Sequence, residues 1–272
     1  MPGVQGPLSC IVTLIACLLQ VAPLAPRQLQ PFRVMTWNIA AGHGDLSTIA
    51  GAIREAGPDI VALQEVDAHW EKRSNFADQP AELAKLLGMH VRFGPIYQLP
   101  GDGTSPRREF GVAILSRHPI VEFHNHPLPR LSTQSAATEP ELMPGFLEAI
   151  VEIDSGRVRV FTTHLDYRAD PRVRNQQVAA TIVRLDAIDG PMILMGDLNA
   201  PPHAVELAPL FQRLHDAWPN GSDTGFTYPA TAPVRRIDYI LTSGDLRARN
   251  VRVPPIEASD HRPVVADLSP SP

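Results

Sequence analysis

Apolar residues in this chain fall into short runs that break off at polar residues, and the same break recurs along its length. Phe32 to Ile39 carries Val34, Met35, Trp37 and Ile39 and runs into Ala40-Ala41-Gly42, which predicts a strand entering a turn with Asn38 near its end. Leu46, Ile49, Ala52 and Ile53 then recur at helical spacing. Asp45 stands where a cap is needed, and Gly57-Pro58 stops the helix. The next run, Asp59 to Leu63, stays apolar until Gln64-Glu65. A strand, a helix and a second strand read as a β-α-β unit whose strands each end in a polar side chain.

The pattern continues. Residues 67–79 form a polar loop, Ala81 to Leu87 a short helix stopped by Gly88, and Val91, Phe93, Ile96 and Tyr97 an extended segment closed by Pro100-Gly101-Asp102-Gly103. Phe110 to Leu115 and Ile120 to Phe123 predict a strand pair turned at Ser116-Arg117-His118-Pro119. Residues 124–145, with four prolines and no periodicity, predict a long loop. Phe146 to Ile153 and Val158 to Thr163 predict a hairpin whose second strand ends at His164. Val173, Val178, Ile182, Leu185 and Ile188 mark a helix, and Ile193-Leu194-Met195 a strand that stops at Gly196-Asp197-Leu198-Asn199. Glu206, Leu207, Leu210, Phe211 and Leu214 suggest a further helix, and Thr224 to Pro233 a loop. Three strands complete the chain: Ile237 to Leu241 bearing Asp238, Leu246 to Val253, and Pro263 to Leu268 with Ser259-Asp260-His261 before it. Strands apolar on both faces belong inside an α/β sheet, where the first polar residues past their carboxyl ends meet ligands. Asp197 and Asn199 taken alone also fit an Asx-turn and a helix cap.

The chain has 272 residues, 44% of them hydrophobic, enough for one large domain, and no repeat, charge block or linker divides it. A net charge of −5, all of it carried from Arg27 onward, excludes a polycationic nucleic-acid binder. A nuclease with a locally basic site remains open, because a bound cation can hold phosphate without a basic surface. Leu8 to Leu24 is an apolar run interrupted by Ser9, Thr13, Gln20 and Pro23, so residues 1–26 are expected to export the chain. Three outcomes are open: cleavage after Ala25, lipidation of Cys17 in Leu14-Ile15-Ala16-Cys17, or an uncleaved membrane anchor. The expected location is periplasmic, secreted or membrane-anchored, and a monomer is expected. Cys10 and Cys17 both lie in this segment, so the domain over residues 32–270 has no disulfide, thiolate metal site or cysteine nucleophile.

A hard divalent ion such as magnesium takes oxygen ligands and keeps several waters. Glu65, Asp260 and Asn38 meet that need. Phosphodiester hydrolysis needs charge neutralised on phosphate and on the departing oxygen, which a cation and imidazolium groups supply. His164 and His261 meet that need, and Asp238 is placed to orient His261, the expected base. The other histidines have no motif partners; His124 and His126 share a strand-like spacing without a third ligand in view.

The ordered set Trp37-Asn38-Ile39, Gln64-Glu65-Val66, Thr163-His164-Leu165-Asp166, Gly196-Asp197-Leu198-Asn199, Arg236-Ile237-Asp238-Tyr239 and Ser259-Asp260-His261 resembles the endonuclease/exonuclease/phosphatase superfamily of DNase I-like metal-dependent phosphoesterases, in a bacterial exported form. The resemblance covers nearly all of the chain after residue 32. It implies a four-layer α/β sandwich, two packed mixed sheets with helices outside. It implies that Asn38, Glu65 and Asp260 hold magnesium or manganese, and that Asp197 and Asn199 position the attacking water or bind the scissile phosphate. Asp238 and His261 form the dyad, and His164 touches phosphate. One position departs: relatives often carry a Tyr where this chain has Phe110, so a phosphate-contacting hydroxyl is missing. Arg107, Arg108 or Arg168 are candidates to replace it, and Arg73, Arg108 and Arg168 are the candidate substrate contacts.

The expected activity is metal-dependent hydrolysis of a phosphoester, most simply a phosphodiester. The alternatives are a nuclease acting on DNA or RNA and a catalytically decayed cell-surface binding protein on the same fold. A calcineurin-like phosphatase is disfavoured because its Gly-Asn-His segment is missing. The loops 67–79, 98–109 and 124–145 offset Lys72, Arg73, Arg107, Arg108 and Arg130 with Asp67, Glu71, Asp78, Asp102, Glu109, Glu139 and Glu141. Duplex DNA demands several unopposed cations, so a small or lipid-linked substrate is expected over duplex DNA.

Overall fold

In the computed structural model of the protein, the described residues are 3, 29–42, 45–101, 106–154, 156–219 and 224–271. The expected export segment therefore lies, apart from Gly3, outside the described residues. Among those residues no helix is long and apolar enough to cross a membrane.

The elements follow in the order β1 (Phe32–Asn38), α1 (Leu46–Ala56), β2 (Ile60–Ala68), α2 (Gln79–Leu87), β3 (His90–Leu99), β4 (Arg108–Ser116), β5 (Ile120–Arg130) and β6 (Glu141–Ile153). The second half holds β7 (Gly156–His164), α3 (Arg172–Asp186), β8 (Met192–Asp197), α4 (Ala208–Arg213), β9 (His215–Asp216), β10 (Asp238–Thr242), β11 (Leu246–Arg252) and β12 (Val264–Pro270). They make two six-stranded sheets, ordered β11-β12-β1-β2-β4-β3 and β5-β6-β7-β8-β10-β9. Each sheet has one parallel pair, β1 with β2 and β7 with β8; the remaining pairs are antiparallel. Both parallel pairs are joined by a crossover containing a helix, as a parallel connection requires.

The layers follow from which face each side chain takes. Val34, Ile60, Ala62 and Ile114 meet Leu147, Val160, Ile193 and Ile240 between the sheets. Met35, Trp37, Val61 and Leu63 pack outward with Ile49 and Ile53 of α1 and Leu83 of α2. Phe161, Leu194, Tyr239 and Leu241 pack outward with Val178 and Leu185 of α3 and Leu210 of α4. The result is the expected α/β/β/α sandwich. Local signals hold at the first helix: Asp45 accepts the backbone amides of Ser47 and Thr48, and Gly57 closes the end in the left-handed region at φ 65°.

Two expectations fail. Residues 124–145 are not one long loop, since β5 runs to Arg130 and β6 begins at Glu141. The prolines hid them: Pro127 and Pro129 lie on an edge strand, where a missing N–H disrupts no ladder. The strands around Ser116-Arg117-His118-Pro119 also do not pair with each other. β4 lies between β2 and β3 in one sheet, whereas β5 pairs with β6 in the other, so the turn carries the chain across the sandwich.

Candidate active site

Both parallel pairs deliver their carboxyl ends to one place. Asn38 ends β1 and is fully buried; His164 ends β7 and lies in register with Asp197, which ends β8. Asp238 opens β10 directly opposite Asp197. Glu65 occupies an irregularity in β2 with a left-handed backbone, φ 52°, where the register shifts between Leu63 and Val66. Such a bulge re-aims one side chain out of the pleat. At Gly196 the strands β7 and β8 come so close that a Cβ would stand 2.1 Å from the Thr163 carbonyl oxygen. Only glycine fits there.

One atom is the hub of the cluster. Asp197 Oδ2 accepts a hydrogen bond from Asn38 Nδ2 at 3.1 Å, and His164 Nε2 and His261 Nε2 approach it at 3.5 and 3.7 Å. The same Asn38 amide donates to Glu65 Oε1 at 3.0 Å, so a single side chain from one sheet ties the two carboxylates together. His261 Nδ1 meets Asp238 Oδ2 at 2.9 Å. Asp238 and His261 come from different sheets: β10 belongs to one, and His261 lies in the loop before β12 of the other. They meet because the sheets face each other.

The surroundings hold this geometry. Ser259 Oγ donates to the Asn38 carbonyl at 2.7 Å, Trp37 Nε1 to the His261 carbonyl at 2.8 Å, and the Tyr228 ring lies 4.8 Å from the imidazole. Asn199 N donates to Asp197 Oδ1 at 2.8 Å, and its side-chain amide donates to the Leu165 carbonyl. Asn199 thus fixes the Asp197 carboxylate from behind.

Burial pushes the Asp197 carboxyl up to about 6, with Asp238 adding to the rise while His164, His261 and Asn38 oppose it. For His261 burial favours the neutral ring, but Asp238, Asp197 and Asp260 outweigh it and raise the imidazole to about 10. The cluster therefore holds its histidine charged at neutral pH and its central carboxylate within reach of protonation.

The donor set fits a cation. Asp197, Asp238 and His261 offer ligand atoms within 4.8 Å of one another, and Asp238 Oδ1 is buried without a hydrogen-bond partner. Glu65 Oε1 stands beside them; Asn38 turns Nδ2 to both carboxylates, and its Oδ1 accepts from Ala40 N at 3.0 Å. Asp260 is exposed at the rim and accepts from Ser259 Oγ at 3.3 Å.

Three of the candidate arginines, Arg73, Arg108 and Arg168, are already engaged, whereas Arg107 is exposed. Arg73 holds the buried Asp67 through two hydrogen bonds of 3.0 and 3.1 Å and lies over the Phe110 ring. Arg108 donates to the Trp70 carbonyl and covers its ring, and Arg168 pairs with Asp166 and the Leu131 carbonyl. Arg130, expected on a loop rim, is instead buried, with its guanidinium on the carbonyls of Pro144, Gly145 and His164. It braces the backbone that carries His164, and burial lowers it to about 10. Its only sequence signal was the alternation of Leu128 with Arg130. Trp70 and Leu128, in segments read as loops from the sequence, are buried as well. His126 binds the buried Glu148 and so belongs to the far face of its sheet.

The sequence pattern of the Endonuclease/Exonuclease/phosphatase family matches residues 35–261. Among solved structures, an endonuclease/exonuclease/phosphatase from Beutenbergia cavernae is 28% identical, the match covering 89% of this chain and 72% of that one with a TM-score of 0.73. The human Nocturnin catalytic domain with bound sulfate is 24% identical, covering 90% and 97%, with a TM-score of 0.68. A mannosyl-6-phosphatase from Bacteroides thetaiotaomicron is 17% identical, covering 87% and 99%, with a TM-score of 0.68. The latter two likenesses speak to the fold. With the family pattern running from the first strand to the histidine at the centre of the cluster, the chain belongs to the endonuclease/exonuclease/phosphatase family.

Proposed function

We propose that the protein is a divalent-cation-dependent phosphodiesterase that acts on small or lipid-linked phosphoesters in preference to duplex DNA. The observation that carries this reading is the convergence of Asn38, Glu65, His164, Asp197, Asp238 and His261 from both sheets on one buried point. Metal-assisted phosphoester chemistry is what that donor set and the family membership support in general. The phosphodiester, the preferred ion and the roles below are our own assignment.

Glu65, Asn38 and Asp260 would hold the cation, preferably magnesium, with manganese as a substitute. The tighter trio of Asp197, Asp238 and His261 is a second candidate by spacing, but Asp238 Oδ2 is already spent on His261 Nδ1. A bound cation supplies positive charge to the phosphate and to the departing oxygen. His261, held protonated by Asp238, faces the phosphate and neutralises charge that grows in the transition state; His164 is a further phosphate contact beside Asp197. Asp197 takes the proton from the attacking water, because its raised pKa puts it closer to neutrality than an ordinary carboxylate. The sequence pointed to His261 as the base; its stabilised charge moves that role to Asp197. Asn199 orients Asp197.

The substrate preference rests on the committed state of Arg73, Arg108, Arg130 and Arg168 and on the net charge of −5. A mannosyl-6-phosphatase and a sulfate-binding Nocturnin domain on the same fold agree with a small phosphorylated ligand. The apolar amino-terminal run, which carries both cysteines, is the ground for export and for attachment to a membrane, and a monomer is the simplest assembly. The test is specific activity of the purified full chain on plasmid DNA, RNA, sphingomyelin and bis(p-nitrophenyl) phosphate at physiological salt. The small and lipid esters should be cleaved faster than DNA. Much faster DNA cleavage with a steep salt dependence would overturn the preference.

A further inference from the structure

Beside the mouth formed by Glu65 and His164 opens a cleft of about 190 Å³ whose walls include Ile96, Phe110, Leu131, Leu165 and Tyr167. We propose that this cleft is a specificity subsite for a neutral, apolar group, best a flat ring, carried on the phosphate beside the bond to be broken. The inference rests on the phosphoesterase reading above and adds the substrate's second half to it.

Two observations carry it. First, the polar side chains around the cleft are spent on one another. Arg130 is buried on three carbonyls, Arg168 is held by Asp166 and the Leu131 carbonyl, and Tyr97 Oη accepts from Thr133 N at 3.0 Å and from Thr133 Oγ1 at 3.1 Å. Freeing Arg130 to bind a second charge would strip a buried guanidinium of its three carbonyls, which costs more than the new contact returns. A neighbouring phosphate or carboxylate would therefore have to compete with Asp166 for Arg168. Second, the wall of the cleft is largely aromatic, although Arg73 lies over the Phe110 ring and Arg168 over the Tyr167 ring. Tyr97 stacks on Phe110 with centroids 6.1 Å apart and planes at 20°, and Trp70 packs behind both at 6.2 and 5.9 Å. Tyr167 is 63% exposed, an unusual position for an aromatic ring at the lip of a site. Phe110, where a hydroxyl would make the wall polar, keeps it apolar. Such a surface gains from covering a ring or an acyl segment and gains little from a hydrated polar one.

The experiment compares p-nitrophenyl esters of phenyl phosphate and methyl phosphate, which share a leaving group and differ only in the other substituent. With magnesium present, kcat/KM for the phenyl ester should exceed that for the methyl ester at least tenfold. Leu131→Asp and Tyr167→Ala should each pull the ratio down towards one. Equal kcat/KM for the two esters, or variants that leave the ratio intact, would overturn the subsite. Should neither ester be hydrolysed, the phosphodiesterase reading fails by itself and calorimetry decides the subsite. Phenyl phosphate should then bind the full chain at least tenfold more tightly than methyl phosphate, with Leu131→Asp removing the difference. Equal binding would refute the proposal.

Discussion

Asp197 Oδ2 receives the Asn38 amide and faces both imidazoles, so the protonation of this carboxylate and of His261 is settled within a few ångströms. The signs are opposite. Asp197 acts as a base only when deprotonated, so kcat/KM should rise with pH as it ionises near about 6. His261 acts when protonated, so kcat/KM should fall as pH passes about 10. A bell-shaped profile with these limbs is expected, belonging to the coupled cluster as much as to either residue. His261→Ala should lower turnover by at least about a hundredfold and erase the alkaline limb. Asp238→Asn should move that limb to lower pH, because it removes the main group that holds the proton on the ring. An alkaline limb unchanged in either variant would refute the assignment.

At the scale of elements, α3 is docked on its sheet by a buried carboxylate as well as by apolar contacts. Glu148 of β6 is 1% exposed and receives His126 at 2.6 Å, Arg184 of α3 at 2.9 Å, and Arg159. Burial alone would raise this carboxyl, but the hydrogen bonds from His126, Arg184 and Arg159 dominate and hold it near about 2 against an ordinary 4.5. Glu148→Ala should cost about 2 to 3 kcal/mol at neutral pH, the scale of lost hydrogen bonds to a charged group. A depressed carboxyl stabilises the fold above its unfolded value of 4.5 and loses that contribution as pH falls through about 2. The gap in urea stability between wild type and variant should narrow over that range, and a gap constant from pH 7 to 2 would refute the role.

How far the elements were legible depended on whether the signal was local. The caps Asp45 and Gly57 and the break at Gly196-Asp197-Leu198-Asn199 lie within a few residues of what they control, and they read true. The extension of β5 through Pro127 and Pro129 did not, because an edge strand tolerates prolines that a central strand would reject. The separation of β4 from β5 was hidden too, since a short turn looks alike whether it pairs two strands or passes between sheets. The six residues that converge at the junction were visible by type and order. Their proton assignment was not, because it depends on burial and on facing charges contributed by the opposite sheet.

At the scale of the molecule, the sandwich brings two β-α-β units to a shared junction, and the export proposed above for the apolar amino-terminal run would add an address. The mature protein from its native host should be lighter by the amino-terminal segment, starting near Pro26 or carrying a lipid on Cys17; an intact Met1 form in the cytosol would contradict export. The central claim is that the buried cluster at the junction is a cation-dependent hydrolytic centre. Its most direct measurement is turnover of bis(p-nitrophenyl) phosphate by the full chain after exhaustive chelation, on adding back magnesium, for wild type and Glu65→Gln. Chelation should abolish turnover and magnesium restore it. Glu65→Gln should need several-fold more magnesium for half-maximal rate, because it keeps the side chain's shape and removes a ligand charge. Full activity in the chelated protein, or a magnesium requirement unchanged in Glu65→Gln, would contradict the account.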